Sequence, residues 1–328
     1  MELVTADDVH AAATRLEGRV VRTPLTVGPA GGPPFLVKPE SLQPTGAFKL
    51  RGATNAVALL DPHQRAAGVV THSSGNHGLA LAHAAREQGV ACTVVVPEDA
   101  PKVKVDRIRA CGARVVLVPP ERRLAVAREV AAGEGRTLVP PFDDPRVIAG
   151  QGTVGLEILE QSPEVTTIVV PVGGGGLASG VATAAMTVRP RPVRVVGVEP
   201  ELAADAAESL RVGRRVAWPA ERTGRTMADG VRVCLSDLTF AHLSARLVEV
   251  VTVSEDEIAR AVAALAHGAR LVAEPSGALA AAAVMAGRVA TEPGRPGATV
   301  AVVSGGNVDP DLFARLVRPE RGSAASVE

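Results

Sequence analysis

The chain of 328 residues contains no tyrosine, and aromatic residues make up only 2% of it. An acid, base or stacking role that other proteins give to tyrosine must therefore fall to another residue type. The three cysteines, Cys92, Cys111 and Cys234, are widely spaced and form no CxxC pair. This spacing argues against a disulfide framework and against a thiolate zinc site, and it is typical of a reducing compartment such as the cytoplasm.

An excess of charge of either sign is also missing, because 35 lysines and arginines balance 35 aspartates and glutamates. Without a basic field, neither nucleic acid nor an anionic membrane is an expected partner. Residues 1–8 are acidic and lack the apolar core of a signal peptide. The longest stretch of small apolar residues, 277–287, is shorter than the roughly 20 residues that span a bilayer. We therefore expect a cytoplasmic protein.

What the chain does contain is a regular alternation of β-branched apolar runs with alanine-rich segments of helical periodicity. Hydrophobic residues make up 46% of the chain, enough for a sizeable core. Several runs are apolar at every position, which indicates buried parallel strands, so the alternation predicts an α/β fold with a doubly wound sheet. The predicted strands are 36–38, 69–72, 92–96, 114–118, 167–172, 193–198, 247–251 and 299–303, and the predicted helices include 102–111, 122–132, 147–161 and 177–188.

Two helix starts carry a clear local signal. Thr5 stands three residues before Asp8, and Ser254 stands three residues before Glu257, so each pair predicts a capping box. Gly18 is predicted to end the first of these helices. Three prolines between residues 140 and 145 indicate a turn and a possible domain boundary.

Lys49 is the first candidate for chemistry. It follows Phe48 and lies between Gly46 and Gly52, which predict a turn on either side. An amine held beside an apolar ring loses part of its charge and becomes a nucleophile. The segment therefore indicates either a Schiff-base lysine or an ordinary surface lysine.

Three glycine-bearing loops each follow a predicted strand: residues 73–78, 173–176 and 304–307. In open α/β sheets ligands bind beyond the carboxyl ends of the strands. Glycines at that edge let backbone N–H groups approach an anion, and a following helix adds the positive end of its dipole. We expect the three loops to form one shared site.

The second loop has an alternative interpretation. Gly173, Gly175 and Ala178 satisfy the dinucleotide pattern G-x-G-x-x-A, and Glu199 follows about 20 residues later, as an NAD ribose partner would. An NAD-dependent dehydrogenase is therefore a competing hypothesis. It leaves Lys49 and the other two loops without a role.

Five motifs together resemble the serine/threonine dehydratase and serine racemase family of fold-type II enzymes, which depend on pyridoxal phosphate (PLP). They are SLQPTGAFKLRG at 41–52, SSGNHG at 73–78, AGQGT at 149–153, GGGG at 173–176 and SGGN at 304–307. They occur in the family's order, and the resemblance extends from about residue 5 to residue 307. It implies a tryptophan synthase β-like fold with two open, twisted, mostly parallel sheets flanked by helices. It further implies a large domain (1–60 and 146–328), a small domain (61–145) and a homodimer.

The resemblance also assigns roles to individual residues. It implies that Lys49 is the lysine that binds the cofactor, with Phe48 beside its ring, and that Asn76 and Ser304 meet the ring hydroxyl and the ring nitrogen. Residues 173–176, that is Gly173, Gly174, Gly175 and Gly176, match the phosphate loop. The loop that receives the substrate carboxylate is matched by Ser73, Ser74 and His77. Ser74 also matches the acid/base on the second face in racemases.

The implied reaction is dehydration and deamination of L-threonine or L-serine to a 2-oxo acid and ammonia, with Lys49 as the general base. A serine hydroxyl does not keep the ring nitrogen charged as a carboxylate does, and a weaker electron sink suits elimination. Phe142, in a Pro-Phe-Asp segment, also favours dehydration, since mammalian-type racemases carry asparagine there. The short C-terminal region implies that isoleucine feedback is absent. Serine racemase, 3-hydroxyaspartate dehydratase and a silent PLP-binding protein stay open as alternatives.

Two further features have both a functional and a structural interpretation. Glu199, Ala203 and Asp205 follow the spacing of a Mg²⁺, Mn²⁺ or Ca²⁺ site in some relatives, and all-oxygen ligation suits such cations. The same acids would also be stable on the solvated start of a helix. Arg123 matches an arginine that meets a substrate carboxylate, and it also suits the second carboxylate of 3-hydroxyaspartate or a plain solvated helix start. Glu274 either lines the cofactor pocket or caps the next helix.

Overall fold

The computed structural model describes residues 2–30, 33–73, 75–187, 193–247, 249–289 and 299–318. Strands and helices alternate through these residues, as the sequence predicts. The strands are β1 (Thr26–Val27), β2 (Leu36–Pro39), β3 (Val69–Thr71), β4 (Cys92–Pro97), β5 (Arg114–Val118), β6 (Thr137–Leu138), β7 (Thr167–Pro171), β8 (Arg194–Pro200), β9 (Glu249–Val253) and β10 (Thr299–Val303). The α-helices are α1 (Ala6–Leu16), α2 (Lys49–Ala58), α3 (Pro62–Ala67), α4 (Asn76–Glu87), α5 (Lys102–Ala110), α6 (Arg123–Glu134), α7 (Pro145–Gln161), α8 (Gly176–Ala185), α9 (Asp205–Val212), α10 (Ala220–Thr223), α11 (Asp237–Arg246), α12 (Glu255–Gly268), α13 (Pro275–Met285) and α14 (Pro310–Leu316).

Both predicted capping boxes are present. The Thr5 hydroxyl accepts a hydrogen bond from the Asp8 backbone N–H at the start of α1, and Ser254 does the same with Glu257 at the start of α12. Gly18, just beyond α1, adopts φ +70, a conformation that favours glycine. These local signals depend on only a few neighbouring residues, so the sequence alone was sufficient to locate them.

The larger sheet has six strands in the order β1-β2-β10-β7-β8-β9. All neighbouring pairs are parallel except β1 and β2 at one edge. Helices α12 and α13 cover one face, and α7, α8 and α11 lie on the other. Because both faces are buried, the central strands carry apolar residues at nearly every position.

The smaller sheet has four parallel strands in the order β5-β4-β3-β6. Its strands all fall between residues 69 and 138. Helices α4 and α5 pack on one face together with α2, and α6 packs on the other. The two open, mostly parallel sheets confirm the predicted α/β architecture. The domain boundaries at 60/61 and 145/146 stay a prediction.

A buried network of charges fixes the start of α2. The guanidinium of Arg51 lies 2.7 Å from Glu40 and 2.6 Å from Glu157, and Lys38 lies 2.6 Å from Glu157. The side chains of Arg51 and Lys38 are fully buried. Two cations therefore face two carboxylates, so the cluster is balanced in charge. It ties α2 to β2 and α7 and thereby positions Lys49, two residues before Arg51.

Candidate active site

A cavity of about 370 Å³ lies where the three glycine-bearing loops converge. The loop after β3 contributes Ser73, Gly75, Asn76 and His77, although it belongs to the smaller sheet. The larger sheet contributes residues 173–176 after β7 and Ser304 after β10. The loops therefore line one cavity, as the sequence predicts.

Lys49 lies at the first position of α2 and lines this cavity. Its Nζ donates a hydrogen bond of 2.8 Å to the carbonyl oxygen of Pro141 and lies 4.9 Å from the centroid of the Phe48 ring. Burial lowers the pKa of Lys49 to about 8, and the negative charge of Glu274 opposes this shift. The amine is thus partly neutral near pH 8, as a nucleophile or a general base requires.

One detail of the predicted surroundings of Lys49 is wrong. Gly46 does form a turn, with φ +76, but Gly52 lies inside α2. A Cβ at Gly52 would lie 2.4 Å from Nε2 of Gln151 on α7. This glycine is therefore needed for close packing of two helices, a requirement that spacing along the chain does not reveal.

The tetraglycine loop is shaped by close contacts on both sides. A Cβ at Gly174 would lie 2.3 Å from the ring of Phe142, and Gly175 adopts φ +87 at the start of α8. The first N–H groups of a helix have no partner within the helix and favour an anion. This loop therefore presents the backbone of α8 to the cavity, with the Phe142 ring packed against it.

Asn76, the first residue of α4, reaches across to the start of α13. Its Nδ2 donates a hydrogen bond of 2.6 Å to Oε1 of Glu274. Burial raises the pKa of Glu274 to about 7, and the charge of Asp229 adds to the rise. The Glu274 side chain makes no capping hydrogen bond at α13, although it occupies the N-cap position. It therefore lines the cavity, one of its two predicted roles.

The predicted substrate loop is only partly described, because Ser74 lies outside the described residues. The Ser73 hydroxyl accepts a hydrogen bond from the backbone N–H of Gly75 at 3.3 Å. Nε2 of buried His77 bonds the Val139 carbonyl at 3.0 Å, which requires a proton on Nε2, and burial lowers the pKa of His77 to about 3. Neutral His77 offers only an acceptor at Nδ1, so a carboxylate here would meet backbone N–H groups at the start of α4.

Ser304, directly after β10, also lines the cavity. It is almost fully buried, and its carbonyl oxygen accepts a hydrogen bond of 3.0 Å from the backbone N–H of Phe48. An adjacent bridge joins Ala47 to Gly305. These contacts hold Ser304 and the Lys49 segment in a fixed relation at the end of β10.

Arg123 and Lys104 add positive charge to the cavity wall. Arg123 begins α6, and its Nε donates to the Pro120 carbonyl at 2.9 Å, so its side chain is turned back over its own helix start. Burial lowers the pKa of His72, and the positive charge of Arg123 lowers it further. On α5, Lys104 lies 3.3 Å from Asp229.

Sequence reasoning missed Lys104 and assigned no chemistry to Asp229. Both line the cavity, and they form an ion pair between α5 and the short 3-10 turn Asp229–Val231. Lys104 lies on a helix with several other charged residues, and no local pattern distinguishes it from them. Only the packing of α5 against the rest of the chain could have identified it.

The predicted cation ligands lie together, away from this cavity. Glu199 is the penultimate residue of β8, Asp205 begins α9, and Ala203 is in the short turn between them. Oxygens of Glu199 accept hydrogen bonds from the N–H groups of Ala206 and Ala207 at 3.0 and 2.8 Å. Burial raises the pKa of both acids, and in Glu199 the charge of Asp205 adds to the rise.

Neither buried oxygen of Asp205 has a hydrogen bond of good geometry within the described residues, although the Cys234 thiol and the Leu235 backbone N–H lie near enough to oppose the rise in the pKa of Asp205. The structural interpretation of a solvated helix start is therefore wrong, because Glu199 and Asp205 are almost fully buried. Within the same residues no group of three or more His, Cys, Asp or Glu is arranged to hold a metal. A cation would thus depend on two carboxylates and on backbone oxygen.

Among the helices of the described residues, none is both long and apolar enough to cross a membrane.

Comparison with known proteins identifies the relatives of this chain. Residues 16–305 match the model of the family described as pyridoxal-phosphate dependent enzyme. The L-threonine ammonia-lyase of Thermotoga maritima is 41% identical over 96% of this chain and 78% of its own length. The beta-hydroxyaspartate dehydratase of Paracoccus denitrificans is 39% identical over 95% and 98%. The structure of maize serine racemase superimposes with a TM-score of 0.89 at 36% identity, covering 96% of this chain and 97% of that one.

Proposed function

Because the chain belongs to the family of pyridoxal-phosphate dependent enzymes and has a fold-type II architecture, we propose that it converts L-threonine or L-serine to a 2-oxo acid and ammonia. The observation that carries this proposal is the Lys49 amine, which lies in a cavity beside Phe48 and has a pKa lowered to about 8. The likeness to an L-threonine ammonia-lyase supports the reaction type. Given the family, the G-x-G-x-x-A pattern at Gly173 no longer indicates an NAD site.

The cavity suits the cofactor that the family uses. Lys49 would bind it covalently, Asn76 and Ser304 would meet the edge of its ring, and residues 173–176 would receive its phosphate. The fit is supported by the tetraglycine loop, which lines the cavity at the start of α8, where the first N–H groups of the helix favour an anion. When bound, the cofactor accepts the electrons of the Cα–H bond that breaks in the amino acid.

Lys49 acts as the general base in this proposal. With the cofactor bound, Nζ of Lys49 would be the group that takes the proton from Cα of the substrate. The β-hydroxyl then leaves as water, and hydrolysis of the enamine product yields the 2-oxo acid and ammonia. An amine with a pKa near 8 is deprotonated often enough at neutral pH to perform this step.

Substrate binding falls to the β3 loop and to the start of α4. The backbone N–H groups there would receive the α-carboxylate. The Nε2–H group of His77 is not free for this role, because it already donates to the carbonyl oxygen of Val139. The resemblance to the family adds Ser73 and Ser74 as further residues that would bind this carboxylate. Whether Ser74 returns a proton to the opposite face decides between elimination and racemisation, because both reactions begin by loss of the Cα proton.

A substrate with a second carboxylate is the other candidate. Two cations on the cavity wall, Arg123 and Lys104, favour it, because the distal carboxylate of 3-hydroxyaspartate would need a positive partner. The likeness to a beta-hydroxyaspartate dehydratase points the same way. The chemistry at Cα and Cβ would be unchanged.

We further propose that Glu199, Asp205 and the backbone near Ala203 bind a hard divalent cation, Mg²⁺, Mn²⁺ or Ca²⁺. The two buried carboxylates support this, since they lie near each other and the oxygens of Asp205 have no hydrogen bond of good geometry among the described residues. The homodimer and the cytoplasmic location stay predictions.

Incubation with L-threonine, L-serine and threo-3-hydroxyaspartate tests the proposal. We expect 2-oxo acid from at least one of them, measured alongside chiral chromatography of the remaining amino acid. Faster formation of D-serine than of pyruvate would instead establish a racemase. A colourless protein whose Lys49 is not labelled by borohydride after addition of PLP would refute the cofactor assignment, and a labelled protein that consumes no substrate would be a silent PLP-binding protein.

A further inference from the structure

A chain of three hydrogen bonds runs from the surface of α5 to the residue expected to meet the cofactor ring. Nη1 of Arg107 donates to Oδ1 of Asn307 at 2.8 Å, and Nδ2 of Asn307 donates to Oδ1 of Asn76 at 2.7 Å. The last link is the 2.6 Å hydrogen bond from Asn76 to Glu274. These hydrogen bonds connect α5, which packs on the smaller sheet, to Asn307 after β10 and to Glu274 before α13, both of which lie beside the larger sheet.

The direction of these bonds matters because an asparagine amide can face either way. Its oxygen only accepts and its nitrogen only donates, so a neighbour of fixed character decides its orientation. The guanidinium of Arg107 has donors alone and therefore requires the oxygen of Asn307. The nitrogen of Asn307 is then left to face Asn76.

A further hydrogen bond holds Asn307 in this orientation, and a neighbouring glycine packs closely against its amide. Its Nδ2 also donates to the carbonyl oxygen of Thr45 at 2.8 Å. The backbone of Gly46 approaches so closely that a Cβ there would lie 2.6 Å from Oδ1 of Asn307. A reversed amide would place its oxygen against the carbonyl oxygen of Thr45. The amide of Asn307 therefore fits between Arg107 and Thr45 in one orientation only.

At the other end of these hydrogen bonds, Glu274 does not have a fixed role as donor or acceptor. Burial holds the pKa of Glu274 at about 7, so near neutral pH Glu274 is an acceptor only part of the time. The positive charges of Lys104 and Arg107 are among the influences that oppose this rise. Arg107, at the first end of these hydrogen bonds, is a donor at every pH at which the protein is folded.

We propose that Arg107 is a positioning residue that acts through Asn307 to keep the amide nitrogen of Asn76 turned toward Glu274 and the cofactor ring. The inference rests on the proposed PLP site. Asn76 Nδ2 carries two hydrogens and gives one to Glu274, so the second can reach the ring only in this orientation. If Asn76 turned over, an acceptor would replace the donor there.

A series of variants at position 107 separates donor character from bulk. Arg107→Lys keeps a donor, Arg107→Leu removes it, and Arg107→Glu replaces it with an acceptor. Arg109→Leu is the matched control, since Arg109 lies on the same helix, is half exposed and pairs only loosely with Asp106 at 3.5 Å. Both positions of change are at the surface, so we expect all four variants to have melting temperatures equal to that of the unmodified chain.

The expected order follows from the direction of the bonds. The Kd for PLP should rise about tenfold in Arg107→Leu and further in Arg107→Glu, with a change in the visible absorption of the bound cofactor. Arg107→Lys should stay within about threefold of the unmodified chain, and Arg109→Leu should match it. Equal behaviour of Arg107→Leu and Arg109→Leu, or an Arg107→Glu no worse than Arg107→Leu, would overturn the proposal.

A measurement without cofactor keeps this inference apart from the proposed function. The side-chain NH₂ resonances of Asn76, assigned by their loss in Asn76→Asp, can be followed in the full-length chain before PLP is added. They should move in Arg107→Leu and stay in place in Arg109→Leu. If they move but no variant binds PLP, the cofactor assignment fails while the chain of hydrogen bonds stands; if they do not move, the role of Arg107 is refuted.

Discussion

Nζ of Lys49 donates a hydrogen bond of 2.8 Å to the carbonyl oxygen of Pro141, the residue before Phe142. This contact joins the start of α2 to the segment whose ring packs against the tetraglycine loop. The amine of Lys49 and the predicted phosphate loop thus both contact the segment Pro141–Phe142. Substitutions in this segment should alter both the reactivity of the amine and the binding of the cofactor.

The reactivity of Lys49 should depend on pH through a pKa of about 8. Burial favours the neutral amine, so the pKa lies below the ordinary value of 10.5 and the nucleophile gains as pH rises toward 8. In the cofactor-free chain, labelling of Lys49 by trinitrobenzenesulfonate, followed by mass spectrometry of the peptides, should rise about tenfold per pH unit and level off above pH 8. A lysine model peptide should continue to rise toward pH 10.

Glu274→Gln gives this prediction an internal control. The negative charge of Glu274 raises the pKa of Lys49, so its removal should move the midpoint of the labelling profile to lower pH. A profile of Lys49 that follows the model peptide would contradict the assigned pKa.

Gly174→Ala should weaken cofactor binding and lower stability. The new Cβ would lie 2.3 Å from the Phe142 ring, and overpacking of this kind costs about 1–3 kcal/mol. Urea unfolding and titration with PLP measure the two effects. Gly133→Ala is the matched control, because it lies inside α6 with open space around the new Cβ and should stabilise the fold by about 0.5–1 kcal/mol. Unchanged PLP affinity in Gly174→Ala would argue against the phosphate loop.

Arg51→Met should be strongly destabilising. The substitution leaves Glu40 and Glu157 without their main partner in the interior, and such a loss costs about 3–5 kcal/mol in the free energy of unfolding. The comparison is Arg22→Met, whose ion pair with Glu160 has the same 2.6 Å separation but lies at the surface. We expect a loss of at most about 1 kcal/mol there, and similar losses in the two variants would contradict the structural role of the buried network.

A cation at Glu199 and Asp205 should be detectable by its effect on stability. The melting temperature should rise when Mg²⁺, Mn²⁺ or Ca²⁺ is added to chelated protein, because a ligand that binds only the folded state stabilises it. Asp205→Asn should lose this response. It should also melt higher than the unmodified chain in chelator, since a buried carboxylate beside that of Glu199 is removed. No response of the unmodified chain to any of the three ions would refute the site.

Much of the architecture follows from local patterns. The apolar runs gave the main strands within two residues of their bounds, because a strand buried on both faces leaves a continuous apolar signal. The capping boxes at Thr5 and Ser254 needed only a spacing of three residues. The glycine loops were found for the same reason, since each follows directly on a strand.

Contacts between distant segments carried no such signal. Lys104 and Arg107 meet residues 125 and 200 positions away, and their helix looks like any charged surface helix. The burial of Asp205 and the packing of Gly52 against Gln151 depend likewise on how elements pack together.

The sequence by itself determined the α/β fold and the family and made Lys49 the candidate for chemistry, because each of these inferences depends on residues close together along the chain. The tertiary structure alone decided how low the pKa of Lys49 falls, which acid faces Asn76 and which charges line the cavity. The physical reason is that burial and the distance between charges set these properties, and both arise only when the two sheets pack together.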